Sequence, residues 1–256
     1  MKKKFIYAFI SLIALPFSLS AQVDQSPEVG VVEHLGKKIP MDLKFVNDKF
    51  DTVTLGQLID KPTILSFVYF DCPGLCSPLL EGVGSVIQKT DLVLGKDYQV
   101  ITISFNFRDT PQKAKEKKAR FVERYSQGKG DGWIFLTTDS ATIFKITNAT
   151  GFITKAVGLD FVHPSAIIAV SPDGMITRYL YGITFMPADF KLSIIEANKE
   201  QARPTIQRIL MICYSYDQDT NRFALDVTKI AGILIVFFIL VFIVIFLLKP
   251  KKKNKK

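Results

Sequence analysis

Residues 62–76 read Pro62-Thr63-Ile64-Leu65-Ser66-Phe67-Val68-Tyr69-Phe70-Asp71-Cys72-Pro73-Gly74-Leu75-Cys76. From Ile64 to Phe70 the run is apolar at nearly every position, which suits a strand covered on both faces rather than one with a solvated side. The strand runs straight into Asp-Cys-Pro-Gly-Leu-Cys, and a helical pattern follows over residues 77–90. A two-sided strand that feeds a helix is the start of an α/β unit. Pro73 suits the first helical position, so Cys72 is predicted at or beside the N-cap and Cys76 one turn further on. Positions four apart share a helix face, and both sulfurs then point to the side where unpaired N–H groups and the helix dipole favour a thiolate.

Working outward, residues 98–105 and 133–136 read as further strands, and residues 166–170 and 176–181 as a late pair around the turn Ser171-Pro172-Asp173-Gly174. Helical patterns cover residues 111–126, opened by Pro111, and residues 140–148, while residues 187–201 look like a surface helix. The expected fold class is α/β, a sandwich with a mixed central sheet. The folded unit is expected over residues 48–203. A polar N-terminal segment, residues 22–47, precedes it, and a connector, residues 204–229, leads away from it.

The two ends of the chain carry a separate message. The 256 residues have 33 Lys and Arg against 24 Asp and Glu. Lys2, Lys3, Lys4, Lys249, Lys251, Lys252, Lys253, Lys255 and Lys256 account for the whole excess, and without these nine the balance is 24 to 24. A near-neutral body lacks the electrostatic footprint of a nucleic-acid binder. The three N-terminal lysines, the apolar residues 5–17 and the small residues Ser18, Ser20 and Ala21 form the three regions of a secretory signal peptide, residues 1–21. It is cleaved after Ser20 or Ala21, or else kept as an anchor.

Residues 230–248 are 19 consecutive uncharged residues, almost all aliphatic or Phe, and as a helix they would rise about 28 Å. A transmembrane helix is expected there. The lysine tail, residues 249–256, then puts the C-terminus in the cytoplasm by the positive-inside rule. The expected location is the cytoplasmic (inner) membrane, single-pass, with residues 22–229 on the periplasmic or extracytoplasmic side.

Two thiols four positions apart are an incomplete site for most metals, and the chain has only two histidines. His34 lies in the polar segment and is expected to be exposed. His163, just before the strand at residues 166–170, can complete a Cys₂His set, because the end of one strand and the loop entering its neighbour are adjacent in such a sheet. Two thiolates and an imidazole make a soft, three-coordinate set suited to Cu(I), with Cu(II) as a second state. Structural zinc usually has four ligands. The competing possibilities for the pair are a structural disulfide and a thiol-disulfide oxidoreductase in which Cys72 attacks, Cys76 resolves and His163 tunes the thiolate. Cys213, in Met211-Ile212-Cys213-Tyr214, is expected to be packed and inert.

The strand leading into Cys-Pro-Gly-Leu-Cys, the segment Arg108-Asp109-Thr110-Pro111, and the single His163 nine residues before Pro172-Asp173-Gly174 together resemble the Sco/SenC proteins. The resemblance spans roughly residues 50–182. It implies a thioredoxin-like fold and copper held by Cys72, Cys76 and His163. It further implies a metallochaperone that works by ligand exchange rather than as an enzyme, delivering copper to the binuclear centre of cytochrome c oxidase subunit II. A periplasmic thiol-disulfide reductant would be a further partner. Some members act instead as thiol-disulfide reductants. The sequence departs from the family pattern at Ser77, Asn106 and Pro164, none of them a ligand. Thioredoxin-like folds also commonly carry a cis-proline at the loop entering the strand beside the active-site helix, so a cis peptide is expected before Pro164.

Overall fold

A computed structural model describes residues 29–72, 74–125, 130–158 and 160–203, with residues 214–217, 222–225, 235, 238–239 and 241–242. In chain order the strands are β1 (Gly30–Val31), β2 (Lys44–Asn47), β3 (Thr52–Thr54), β4 (Thr63–Val68), β5 (Gln99–Ser104), β6 (Trp133–Thr137), β7 (Phe152–Ile153), β8 (Lys155–Val157), β9 (Asp160–Val162), β10 (Ala166–Val170), β11 (Ile176–Tyr181), β12 (Tyr214–Asp217) and β13 (Arg222–Leu225). The helices are α1 (Leu55–Leu58), α2 (Cys76–Lys89), α3 (Pro111–Tyr125), α4 (Ser140–Ala149) and α5 (Pro187–Asn198).

The expected mixed α/β architecture is present. Seven strands form one sheet in the order β11-β10-β4-β5-β6-β2-β3. β4, β5 and β6 run parallel, with α2 and α3 as the crossovers, whereas β10, β11, β2 and β3 are added antiparallel. Every residue of β4, β5 and β10 is buried, as the continuous apolar runs require for strands covered on both faces. The buried polar residues in these strands pair across the sheet: Ser66 and Thr102 share a hydrogen bond of 2.8 Å, and Trp133 Nε1 donates to Thr102 Oγ1 at 2.8 Å.

This topology decides where a site can form. β4 and β5 point the same way, so residues 69–76 and 105–111 emerge at one edge. β10 is antiparallel to β4, with Ile167 opposite Ser66, so the chain enters β10 at that same edge. Loops at the carboxyl ends of parallel strands are the usual location of sites in open α/β sheets.

Three expectations need correction. The N-terminal segment is not outside the fold: β2 pairs with β6 and β3, β1 pairs with β7, and Ile39, Leu43 and Phe45 are in the core. Its inward alternation spans too few residues to stand out among polar neighbours. β1 reaches β7 because Gly151, at φ +64°, lets Val32 N–H donate to its carbonyl at 2.9 Å, where a Cβ would meet the Val32 carbonyl oxygen at 1.8 Å. The helix at residues 187–198 is no surface helix, since Phe190, Ile194 and Ala197 are buried, and so is Glu196. Third, no peptide among the described residues is cis, the one before Pro164 included. His163 is held by the packing described below and needs no sharp turn to face the cysteines. The predicted turn at Pro172-Asp173-Gly174 does form, with Gly174 at φ +84°.

The signal peptide, Cys213 and most of residues 230–248 and of the lysine tail's approach lie outside the described residues, as does the tail itself. No helix among the described residues is long and apolar enough to cross a membrane.

Helix α5 is fixed to β11 by a buried ion pair. Arg178 Nε and Nη2 donate to Glu196 Oε2 and Oε1 at 2.7 and 2.9 Å, with the two side chains 4% and 5% exposed. Removing one member of such a pair strands a charge, which typically costs about 3–5 kcal/mol, whereas replacing both by apolar groups is far milder. Arg178→Met is therefore expected to lower unfolding stability in urea by about that amount, and Arg178→Met with Glu196→Leu to recover most of the loss. A single variant as stable as the parent would show that the pair does not hold α5.

Candidate metal centre

The site is built at the sheet edge just described. After β4 the backbone turns, with Cys72 N–H donating to the Tyr69 carbonyl at 3.3 Å. Cys72 therefore lies in a loop and α2 begins only at Cys76, one turn later than the sequence suggested. The sulfurs meet by folding of that loop rather than by sharing a helix face. Leu75 at the N-cap gives no side-chain hydrogen bond to the helix start. The Cys72 sulfur lies just ahead of that helix start, accepting from Gly74 N–H at 3.3 Å.

The second sulfur and the imidazole face each other. Cys76 Sγ lies 3.3 Å from His163 Nε2 and accepts from Tyr69 N–H at 3.4 Å. His163 Nδ1 is 3.0 Å from the Pro164 carbonyl. A carbonyl can only accept, so Nδ1 carries the proton and the Nε2 lone pair is turned toward the thiols. One ligand atom from each of Cys72, Cys76 and His163 lies within 4.8 Å of the others. The structure thus brings together all three residues expected from the sequence. It does not bring His34, which is half-buried rather than exposed. Its Nδ1 meets the Ala149 carbonyl at 2.9 Å and its N–H donates to Tyr179 at 3.0 Å.

Aromatic rings hold the imidazole. Phe105 and Phe152 lie 5.2 and 6.5 Å from its centroid, and Tyr69 stands edge-on at 6.3 Å. Cys76 is fully buried and His163 is 8% exposed, while Cys72 is half-buried. Burial pushes the Cys76 thiol far up and pulls the His163 imidazole down, the latter partly resisted by its bond to Pro164. Burial also acts upward on Cys72, yet the hydrogen bonds from Cys76, Gly74 and Tyr69 outweigh it and leave that thiol below its ordinary value. The two cysteines are therefore unequal: one is half-buried and more readily ionised, the other closed and reluctant.

Sequence reasoning missed the tasks of the groups that grip the loop from α3 and from the segment that leads into it. Asp109 Oδ2 accepts from Phe70 N–H at 2.7 Å and from Ser104 Oγ at 2.6 Å. Lys113 pairs with Asp71, and Lys117 Nζ donates to the Phe70 carbonyl at 2.9 Å and to Ser77 Oγ at 3.3 Å. Asn106 shapes the approach, its Oδ1 accepting from the Arg108 N–H at 3.1 Å. One signal for Lys117 was available: it lies in line with Ala114 and Phe121, the apolar stripe of α3.

A match to the SCO1/SenC family model covers residues 33–193. The chain belongs to the SCO1/SenC family. Its fold is accordingly thioredoxin-like, and its Cys₂His group can hold a metal ion. Among solved structures, an electron transfer protein candidate of Aquifex aeolicus VF5 is 32% identical, with 64% of this chain and 95% of that chain covered and a TM-score of 0.57. Arabidopsis thaliana ScoI with copper bound is 20% identical over 65% of this chain and 99% of that one, at a TM-score of 0.50. Yeast Sco1 is 17% identical over 64% and 99%, also at 0.50. The last two support the fold alone. No curated protein matches the sequence.

The inequality of the thiols is open to direct measurement. With iodoacetamide at neutral pH, Cys72 of the reduced protein should be alkylated more than about tenfold faster than Cys76, since each unit of pKa below an ordinary thiol is about tenfold in thiolate. The rate profile of Cys72 should be displaced to lower pH than that of free cysteine. Mass mapping that found both thiols modified at one rate would contradict the geometry.

Proposed function

We propose that this protein is a copper metallochaperone that carries Cu(I) on Cys72, Cys76 and His163. The observation that carries this reading is the convergence of two sulfurs and a preset imidazole Nε2 within 4.8 Å, in a pocket of aromatic rings. Thiolates and imidazole are the ligands of a soft cation, and among the described residues the group has three members, too few to close a structural zinc site. In this reading His163 needs no tautomer change to bind, because Nδ1 is already engaged. Cys72 is the exchange ligand. Half-open and readily ionised, it can meet copper first and release it first, while Cys76 and His163 keep the ion from water.

The recipient we assign is the binuclear copper centre of cytochrome c oxidase subunit II. Support comes from the family and from the chemistry of that exchange, which passes a soft ion between thiolate-bearing sites. Residues 230–248 anchor the chain in the cytoplasmic membrane, with the centre on the extracytoplasmic side and a thiol reductant keeping the pair reduced.

The same asymmetry favours a second reading. In a thiol-disulfide reductase, the Cys72 thiolate would attack a partner disulfide, releasing one partner thiolate and forming a mixed disulfide. Cys76 would then displace the second partner thiolate and leave Cys72 and Cys76 oxidised to a disulfide. Copper binding separates the two. The reduced protein should bind one Cu(I), and His163→Ala should weaken binding by more than the roughly 10- to 100-fold that loss of an outer-shell partner costs, with the circular dichroism of the fold unchanged. Unchanged affinity would remove His163 from the site. A reduced protein that binds no copper but turns over a disulfide substrate would establish the reductase instead.

A further inference from the structure

Behind the cysteine loop lies a cation to which ligand exchange gives no task. Lys117 is 8% exposed and stands on α3 between the buried Ala114 and Phe121, with the Phe121 ring 5.9 Å from its Nζ. Its two acceptors, the Phe70 carbonyl and Ser77 Oγ, are two residues before Cys72 and one after Cys76, so the ammonium spans the cysteine loop from within the protein. Both acceptors are neutral. A buried ammonium held only by neutral dipoles is costly unless a negative charge stands near it. Of the adjacent carboxylates, Asp71 pairs with Lys113, and Asp109 Oδ2 accepts from Phe70 N–H and Ser104 while its Oδ1 has Lys113 at 3.8 Å. The cysteine pair, flanked in the chain by the two acceptors of Lys117, is where further negative charge gathers when the thiols bind a cation as thiolates.

Resting on the copper reading above, we propose that Lys117 is the counter-charge and positioning residue of the centre and that it makes the site prefer Cu(I) over Cu(II). The sign follows from counting charge. Two thiolates and a neutral imidazole around Cu(I) carry a net charge of about −1, and around Cu(II) about zero, by the ordinary charges of these groups. A fixed positive charge beside the site stabilises the first state and not the second. Position and charge are separable, because loosening the loop weakens both oxidation states whereas removing the charge changes their ratio.

The experiment uses the full chain in detergent with Cys213→Ser, in three forms: Lys117, Lys117→Met and Lys117→Arg. Redox titration of the bound copper gives the ratio of Cu(I) to Cu(II) affinity directly, and chelator competition gives each affinity. Lys117→Met should lower the ratio by about tenfold or more, the scale of one partly screened charge pair. Lys117→Arg, which keeps the charge on a different fork, should hold the ratio near that of Lys117 even if both affinities fall. If Lys117→Met does not fold, Lys117→Gln carries the same expectation. An unchanged ratio in the uncharged variant, with copper still bound, overturns this inference alone. So does a shift in Lys117→Arg as large as that in Lys117→Met. Absence of copper binding in the Lys117 form overturns this inference together with the reading on which it rests.

Discussion

One pairing in the sheet makes the centre: β10 runs antiparallel beside β4. Cys76 and His163 are 87 residues apart, yet the strand that delivers the cysteine loop and the strand that follows the histidine share an edge, and Nε2 comes to rest 3.3 Å from the sulfur. Ile167 opposite Ser66 and Ile168 opposite Leu65 fix that register, and both strands are buried throughout. A slip of one residue would turn every inward side chain to the other face, so the core that stabilises the sheet also holds the spacing of the ligands.

Around this pairing the protein surrounds reactive groups with restraints of graded strength. The imidazole is the most constrained, with one nitrogen tied to Pro164 and its ring packed among Tyr69, Phe105 and Phe152. Cys76 is buried at the first residue of α2, while Cys72 is half-buried in a loop whose ends are gripped by Asp109, Lys113 and Lys117. A carrier, the role proposed above, needs such grading: two fixed groups would retain the ion, and one more accessible group would let it be exchanged without opening the fold. The buried polar groups behind the loop limit its movement without covering it.

Much of this could be read from residues in order. The continuous apolar run at β4 marked a central strand, and the turn at Pro172-Asp173-Gly174 marked the pair β10 and β11 on either side of it. The cysteine spacing and a histidine just ahead of a strand marked the three residues that converge. What could not be read depends on contacts distant in sequence. β2 is four residues long, and it joins the sheet by pairing with β6, about ninety residues on, as well as with its neighbour β3. Helix α2 starts at Cys76 rather than Pro73, with Cys72 held in the preceding turn by its N–H bond to the Tyr69 carbonyl, a contact that helix-start statistics do not contain. Asp109 was visible within Arg108-Asp109-Thr110-Pro111, but its task of holding Phe70 N–H appears only when β4 and β5 end side by side.

The central claim is that two sulfurs and one imidazole nitrogen close around a single copper ion. Copper K-edge X-ray absorption on the reduced chain carrying Cys213→Ser and one equivalent of Cu(I) tests it most directly, because the only thiols left are Cys72 and Cys76. The expected spectrum is that of a three-coordinate Cu(I) with two sulfur scatterers and one imidazole, reduced to two sulfurs alone by His163→Ala. A first shell of nitrogen and oxygen without sulfur, or an unchanged shell in the His163 variant, would contradict it.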